Sequence, residues 1–314
     1  MPESVARNRE AEVNRLAELP PRVFERVRKL LYEKAGIDLR KGKEALVAAR
    51  LSKRMRETQC RSYESFVDRA TEDATGEGLL DLIDALTTNF TSFLREPAHF
   101  EFLRSKALPA LASRAVVNIW CAAAATGEEP YSIAFTLLDT LGGGTLSTGP
   151  LGNGTLGSGQ GGGFPSGPGR FRVLATDIST RALERARRGV YPADRFTGVP
   201  REWLTRYLEK GTGKAEGFYR VRPEVARMIE FRRVNLVEPF PRALIPSGTF
   251  PLIWCRNVMI YFDGAIQQRV VAGLEQSLEP GGHLLVGHSE SLSGLRHSLE
   301  YVQPAIYRRP RQRP

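Results

Sequence analysis

Between a short apolar run and a helical stretch the chain reads Ala122-Ala123-Ala124-Ala125-Thr126-Gly127-Glu128-Glu129-Pro130-Tyr131-Ser132. Four alanines and a glycine let a ligand approach the backbone closely, because nothing larger than a methyl group stands in the way. The acidic pair occupies the turn where a phosphate-binding loop would carry lysine or bare N–H groups. Carboxylates there suit an ammonium or sulfonium and repel pyrophosphate, which points to S-adenosylmethionine rather than a dinucleotide or ATP. Three further polar groups follow apolar runs: Asp177 after Val173–Thr176, Asn235-Leu236, and Arg256-Asn257 after Ile253–Cys255. In a doubly wound sheet the ligand lies over such strand ends. Asp177 can accept hydrogen bonds from both hydroxyls of a ribose. It can equally cap the helix expected to start near Ser179. Asn235 and Leu236 offer an amide for the edge of adenine and an apolar side chain for its face. An Arg-Asn pair directly after an apolar strand is a poor core choice, so Arg256 and Asn257 read as site residues.

The elements that must hold these groups follow from periodicity. Apolar runs alternating with helices after Ala115 mark a parallel sheet. The expected strands are Val116–Cys121, Phe171–Thr176, Met228–Val234, Pro251–Cys255, His283–Val286 and Ala305–Tyr307, with helices near Glu129–Leu141, Ser179–Arg188 and Asp263–Leu278. Before the sheet, residues 21–90 read as a small all-α domain, with helices from Pro21, at Lys43–Glu57, at Ser62–Arg69 and at Glu77–Leu86. Residues 91–314 form the second domain. Residues 1–20 are polar and expected to be disordered. Residues 142–169, in which 13 of 28 are glycine, read as a flexible surface insertion. Residues 203–227 suggest a small antiparallel β-subdomain, with Gly211–Gly217 as its loop.

Composition narrows the function classes. The 314 residues are 41% hydrophobic and 25% charged, those of an ordinary globular protein. No apolar run reaches the ~20 residues of a membrane span, and the polar Met1–Ser4 shows no secretory signal. Three cysteines show no ligand spacing, and two of them lie in apolar strand-like runs as reduced core thiols, which indicates a cytoplasmic protein. The net charge of +10 is partly local. Seven basic residues lie between Leu39 and Glu57, with Lys43, Arg50 and Arg54 on one helix face. The tail Arg308–Arg313 adds four arginines and reads as a frayed end.

Five colinear segments resemble the CheR-type chemotaxis protein-glutamate O-methyltransferases. They are Thr87–Glu96 (Thr-Thr-Asn-Phe-Thr-Ser-Phe-Leu-Arg-Glu), Ala125–Ser132, Ala175–Ile178, Cys255–Phe262 and Gly287–Ser291. The resemblance runs from about Pro21 to Tyr307. It implies an α/β fold, a Rossmann-like S-adenosylmethionine-dependent methyltransferase domain with a small inserted antiparallel β-subdomain, preceded by an all-α N-terminal domain. It also implies a cofactor site of Asn89, Thr91, Arg95, Glu129, Asp177, Asn235, Leu236, Arg256 and Asn257. Glu129 matches the methionine contact, with Glu128 the close alternative. Arg95 and Tyr261 match residues beside the transferable methyl group and are the catalytic candidates.

The implied reaction moves the methyl group of S-adenosylmethionine onto chemoreceptor glutamates, giving glutamate 5-O-methyl esters and S-adenosylhomocysteine. The implied partner is the receptor's cytoplasmic helical domain, docked by the basic helix. A receptor C-terminal peptide could add to the β-subdomain. The expected enzyme is a monomer that uses no metal, inserts in no membrane and binds no nucleic acid. The segment His288-Ser289-Glu290 reads as a structural loop rather than a metal ligand set or triad fragment. Two other functions compete: a non-enzymatic module sensing the cofactor or its product, and a nucleic-acid methyltransferase, which the basic pI would suit. The second lacks the proline-containing segment that exocyclic-amine methylases carry after the fourth strand.

Overall fold

The computed structural model describes residues 18–141 and 170–311; the expectations for residues 1–17 and for the 142–169 insertion lie outside them. The described residues begin with four helices: α1 (Pro21–Ala35), α2 (Glu44–Glu57), α3 (Tyr63–Glu72) and α4 (Glu77–Leu86). Proline opens α1 and Gly36, at φ 70°, closes it. Ser62 caps α3, its Oγ accepting the Ser65 N–H at 3.1 Å. Stripes such as Val23, Val27 and Leu31 on α1 and Val47, Leu51 and Met55 on α2 meet in one separate core. A fifth helix, α5 (Pro97–Phe102), continues through a turn of π-helix to Ala110.

The second unit is a sheet flanked by helices. Strand β1 (Val117–Cys121) feeds α6 (Glu128–Leu141), and β2 (Phe171–Asp177) feeds α7 (Thr180–Arg188). An excursion follows: β3 (Val190–Pro192), α8 (Arg201–Tyr207), β4 (Leu208–Lys210), β5 (Phe218–Val221) and α9 (Pro223–Ala226). The chain returns as β6 (Ile229–Arg233), β7 (Phe250–Trp254), α10 (Gly264–Ser277), β8 (Leu278–Leu285), β9 (Glu300–Gln303) and β10 (Ile306–Arg308). The main sheet has the order β6-β2-β1-β7-β8-β10-β9. Strands β6 to β8 in that order are parallel, and β10 is antiparallel to both its neighbours. Alternation along β1 builds two cores: Ile119 and Cys121 pack with Tyr131 and Phe135 of α6, while Trp120 packs with Val271 and Leu274 of α10. The strand order reverses between β1 and β7, so a crevice opens above their carboxyl ends.

Several boundaries differ from the sequence expectation. The hairpin expected over 203–227 is present as β4 and β5, but a third strand, β3, pairs with β5 from residue 190. Three residues ending in proline carry no alternation to read. Strand β8 begins at Leu278 rather than His283, through Pro280-Gly281-Gly282, with a register shift against β7 between Phe250 and Leu252. The basic tail is not frayed at its start. Arg308 pairs with Glu300 at 2.6 Å, and Arg309 donates to the carbonyls of Leu278 and Gln276.

The helical unit is bound to the sheet by polar contacts at the crevice. Tyr32 Oη donates to Asp263 at 2.5 Å, the Asp38 N–H to the Tyr261 carbonyl at 2.9 Å, and Thr180 Oγ1 to Asp84 at 2.7 Å. The helices therefore form one wall of the crevice.

Candidate active site

The crevice is a cleft of about 490 Å³ between the helical unit and the carboxyl ends of β1, β2 and β7. Asn89, Thr91, Arg95, Glu129, Asp177, Asn235, Leu236, Arg256, Asn257 and Tyr261 all line it. They come from five separate chain segments, and the fold brings every one to the same cavity. The environments then distinguish them.

Glu129 and Arg256 form the charged floor. Both side chains are almost fully buried, and Arg256 Nη1 donates to Glu129 Oε2 at 2.5 Å. The same guanidinium pairs with Glu96 at 2.9 Å and donates to the Arg95 carbonyl at 2.8 Å. One cation thus serves two carboxylates, leaving this group of charges net negative. Burial pushes the Glu129 carboxyl above its ordinary value, against the opposing charge of Arg256. Burial also opposes ionisation of Glu96, but Arg256 and the His288 N–H outweigh it and hold Glu96 below the usual range. The neighbouring Glu128 turns away from the cleft. It accepts from Thr126 Oγ1 at 2.6 Å and Arg195 Nη2 at 2.5 Å.

Asp177 ends β2 with its carboxylate fixed by two backbone donors: Ala125 N–H to Oδ2 at 2.8 Å and Ser179 N–H to Oδ1 at 2.9 Å. Burial raises its pKa, and those two bonds oppose the rise. The cap of α7 is Ser179, whose Oγ accepts the Ala182 N–H, so Asp177 is not the helix cap. Two lone pairs of each oxygen exceed one donor each, which leaves acceptor capacity at the cleft.

The small-residue turn behaves as its composition requires. Ala125 adopts φ 46° and Gly127 φ 98°. A Cβ on Gly127 would lie 2.7 Å from the Tyr191 hydroxyl, which donates to the Thr126 carbonyl. Positive φ recurs around the cleft at Leu94 (52°), Glu96 (58°) and Asn257 (57°). Such non-glycine residues cost of order 1–3 kcal/mol each and persist only where surroundings fix them. At Leu94 the fixing contact is its N–H to the buried Ser132 Oγ, at 2.9 Å. Arg95, between two left-handed residues, is half-buried, and its Nη1 donates to the Phe90 carbonyl at 3.1 Å. It makes that bond instead of an ion pair with Glu101.

Asn235 departs from the expected role. Its amide Nδ2 donates to the Lys34 carbonyl of the helical unit at 2.7 Å and to Glu238 of its own loop at 2.8 Å, so both amide protons are engaged and one of them ties the two units together. Leu236 presents its apolar side chain to the cleft. Asn89 Nδ2 lies 3.4 Å from Ser179 Oγ, and the Thr91 carbonyl accepts from Arg195 at 2.6 Å.

Two supporting residues were not selected from sequence. Arg195 bridges Glu128 and Thr91, holding the turn against the Asn89–Arg95 segment. Glu290 accepts three backbone donors, Gly287 at 2.6 Å, Asn257 at 2.8 Å and Met259 at 2.7 Å. It clamps the loop that carries Asn257 and Tyr261, and a Cβ on Gly287 would collide with the Asn257 amide. For Glu290 this is a structural role of the kind expected for the His288-Ser289-Glu290 loop. On α2, Arg50 donates to the Leu86 carbonyl at 2.6 Å and Arg54 pairs with Asp81 at 2.5 Å. The exposed basic groups are Arg40, Lys41 and Lys43 just before α2 and Lys53 and Arg56 on it.

A seven-stranded sheet with one antiparallel strand next to its edge, and a cleft with an acidic floor over the switch point, defines a Rossmann-like methyltransferase fold. Residues 89–146 and 164–307 match the S-adenosylmethionine-binding domain of the CheR methyltransferases, and residues 22–87 match the all-alpha domain of the same proteins. The chain belongs to the CheR methyltransferase family. It is 36% identical over 284 residues to the chemotaxis protein methyltransferase of Escherichia coli (strain K12), covering 90% of this chain and 89% of that one. To the chemotaxis protein methyltransferase of Salmonella typhimurium it is 38% identical, covering 90% and 88%. To chemotaxis protein methyltransferase 2 of Pseudomonas aeruginosa it is 36% identical, covering 90% and 91%. Among the described residues no helix is long and apolar enough to cross a membrane.

Proposed function

We propose that this enzyme transfers the methyl group of S-adenosylmethionine to glutamate side chains of chemoreceptors, forming 5-O-methyl esters and S-adenosylhomocysteine in chemotaxis-type adaptation. The observation that carries the reading is the single cleft where a buried acidic floor, Glu129 and Asp177, lies beside Arg95 and Tyr261. The names of the relatives add the chemotaxis setting.

The residues fit the cofactor chemically. Glu129, held by Arg256, faces the ammonium of the methionine end, while Glu128 is spent on Arg195. Asp177 uses its spare lone pairs for the ribose hydroxyls. Leu236 covers the adenine face, and the backbone of Asn235 rather than its committed amide serves the edge. Asn89, Thr91 and Asn257 close the walls. Bound S-adenosylmethionine supplies a methyl group on a cationic sulfur.

A glutamate acceptor, with an unperturbed pKa near ~4.3, is already an anion at neutral pH and needs no general base. The protein's part is alignment and exclusion of water, which together account for ~7–11 kcal/mol of a barrier. Arg95 steers the incoming carboxylate by a charge-assisted bond. Tyr261, whose carbonyl is anchored by the Asp38 N–H, orients acceptor or donor. The exposed lysines and arginines of α2 dock an acidic receptor helix at the cleft mouth. The edge of the β3-β5-β4 sheet offers a place for a receptor C-terminal peptide to add as a strand. The reading also takes the protein to act in the cytoplasm, as a monomer.

Incubation with methyl-labelled S-adenosylmethionine and chemoreceptor-containing membranes tests this. Label in the receptor band should be released as methanol by mild base, as esters require. Base-stable label would reject glutamate esterification.

A further inference from the structure

Glu96, His99 and His288 sit together behind the charged floor of the cleft, and the methyl-transfer reading leaves both imidazoles unused. The donor atoms of the three lie within 4.8 Å of one another. Glu96 Oε2 is 3.5 Å from His99 Nδ1 and 3.8 Å from His288 Nε2. Donors bound at 2.0–2.1 Å around a tetrahedral zinc ion stand about 3.3 Å apart. The group is therefore a few tenths of an ångström from ligand spacing along both edges that meet at Glu96.

His99 supplies the second observation. Its side chain is completely buried, yet neither ring nitrogen has a hydrogen-bond partner among the described residues. Buried polar groups normally do. The ring stands edge-on to Trp254 and to His288. His288 is about half exposed and gives an ion access from solvent. The local charge permits a dication, since Arg256 is outnumbered by Glu96 and Glu129.

We propose that Glu96, His99 and His288 form a binding site for a zinc-type divalent transition metal, with the fourth position left to water. Two imidazoles and one carboxylate suit zinc over calcium or magnesium. Occupancy draws Glu96 away from Arg256 and from the Asn257 amide, 3.4 Å distant, and so loosens the cleft floor. Metal binding stands on the three ligands alone; its effect on the cleft rests additionally on the cofactor reading. The sequence alone does not bring this group together, because Glu96 and His99 lie three residues apart while His288 is distant in the chain.

The test titrates zinc into the full-length, chelator-treated protein, with cobalt(II) as a visible-absorption reporter of coordination. One zinc per chain is expected, with affinity at least about tenfold weaker in His288→Ala and unchanged in His297→Ala. Cobalt should give the intense absorption of a four-coordinate site with nitrogen ligands. Glu96→Gln should weaken binding likewise, with folding of each variant checked by circular dichroism. Absence of stoichiometric binding, or equal affinity in His288→Ala, would overturn the site. Zinc should also weaken S-adenosylhomocysteine binding in the wild type and not in His288→Ala. Stoichiometric zinc binding without that antagonism would keep the site and reject its coupling to the cleft.

Discussion

Replacing Arg256 by methionine isolates the charge arrangement on which the cleft depends. The guanidinium is fully buried between Glu129 and Glu96 and also donates to the Arg95 carbonyl. Removing one partner of a buried pair costs about 3–5 kcal/mol, because the remaining charge stays uncompensated. Here the loss is limited by protonation. Burial already raises the Glu129 carboxyl and Arg256 opposes that rise, so without Arg256 the carboxyl shifts further toward its protonated form. The lower end of the range, about 3 kcal/mol, is expected, a fall of roughly 4–6 °C in melting temperature. Glu129→Gln alone leaves Arg256 with Glu96 as its partner. The double variant Arg256→Met/Glu129→Gln should be more stable than the sum of the single losses implies, by about 1–3 kcal/mol. Urea unfolding of the four proteins measures this, provided the m-values agree. A single variant within about 0.5 kcal/mol of wild type, or strict additivity in the cycle, would refute the arrangement.

Arg95→Ala should leave folding intact and reduce methyl transfer by at least about a hundredfold, the size of losing one oriented charge-assisted contact in the transition state; near-normal turnover on a receptor fragment would remove Arg95 from the chemistry. Asp177→Asn should weaken S-adenosylhomocysteine binding by roughly 10–100-fold, measured by calorimetry, since one hydrogen-bonding charge is worth about 1.5–3 kcal/mol. Unchanged affinity would discard the ribose role. His99 gives a pH prediction. Its folded pKa of about 4 lies below the ordinary value of 6.5, so the unfolded chain binds the proton first as pH falls. Its contribution is absent above pH 6.5 and destabilises progressively down to pH 4, reaching about 2 kcal/mol by pH 5. Chelator-treated protein should lose that stability between pH 7 and 5, and His99→Gln should show a flatter profile. Identical slopes would contradict the burial of a neutral imidazole.

Long periodic elements were legible before any coordinates: α4 spans Glu77–Leu86 as expected, and the strands on either side of the cleft begin and end within a residue or two of their sequence readings. Among the cleft-lining residues, Asp177, Asn235 and Arg256-Asn257 were legible because they sit at ends of apolar runs, where a polar side chain has no packing reason to be, whereas Asn89, Thr91 and Arg95 stood out only through the family resemblance. Partners were not. Nothing local to Glu128-Glu129 says which carboxylate faces the cleft; Arg195, 67 residues away, decides it by capturing Glu128. Asn235 reads as free for a ligand until α1 places the Lys34 carbonyl against it. Glu290 acts on backbone amides of a loop whose conformation periodicity does not encode. Strand β8 was misread at its start because Pro280-Gly281-Gly282 has turn chemistry, and only pairing with its neighbours keeps it extended. Long-range contacts override local preference at each of these places.

Calorimetric titration of the purified full-length protein with S-adenosylmethionine and S-adenosylhomocysteine asks most directly whether this acidic cleft receives a sulfonium donor. One site per chain is expected for both ligands, with competition between them and marked weakening in Glu129→Gln. No heat of binding at ligand concentrations well above those typical of cofactors, in protein verified as folded, would contradict it.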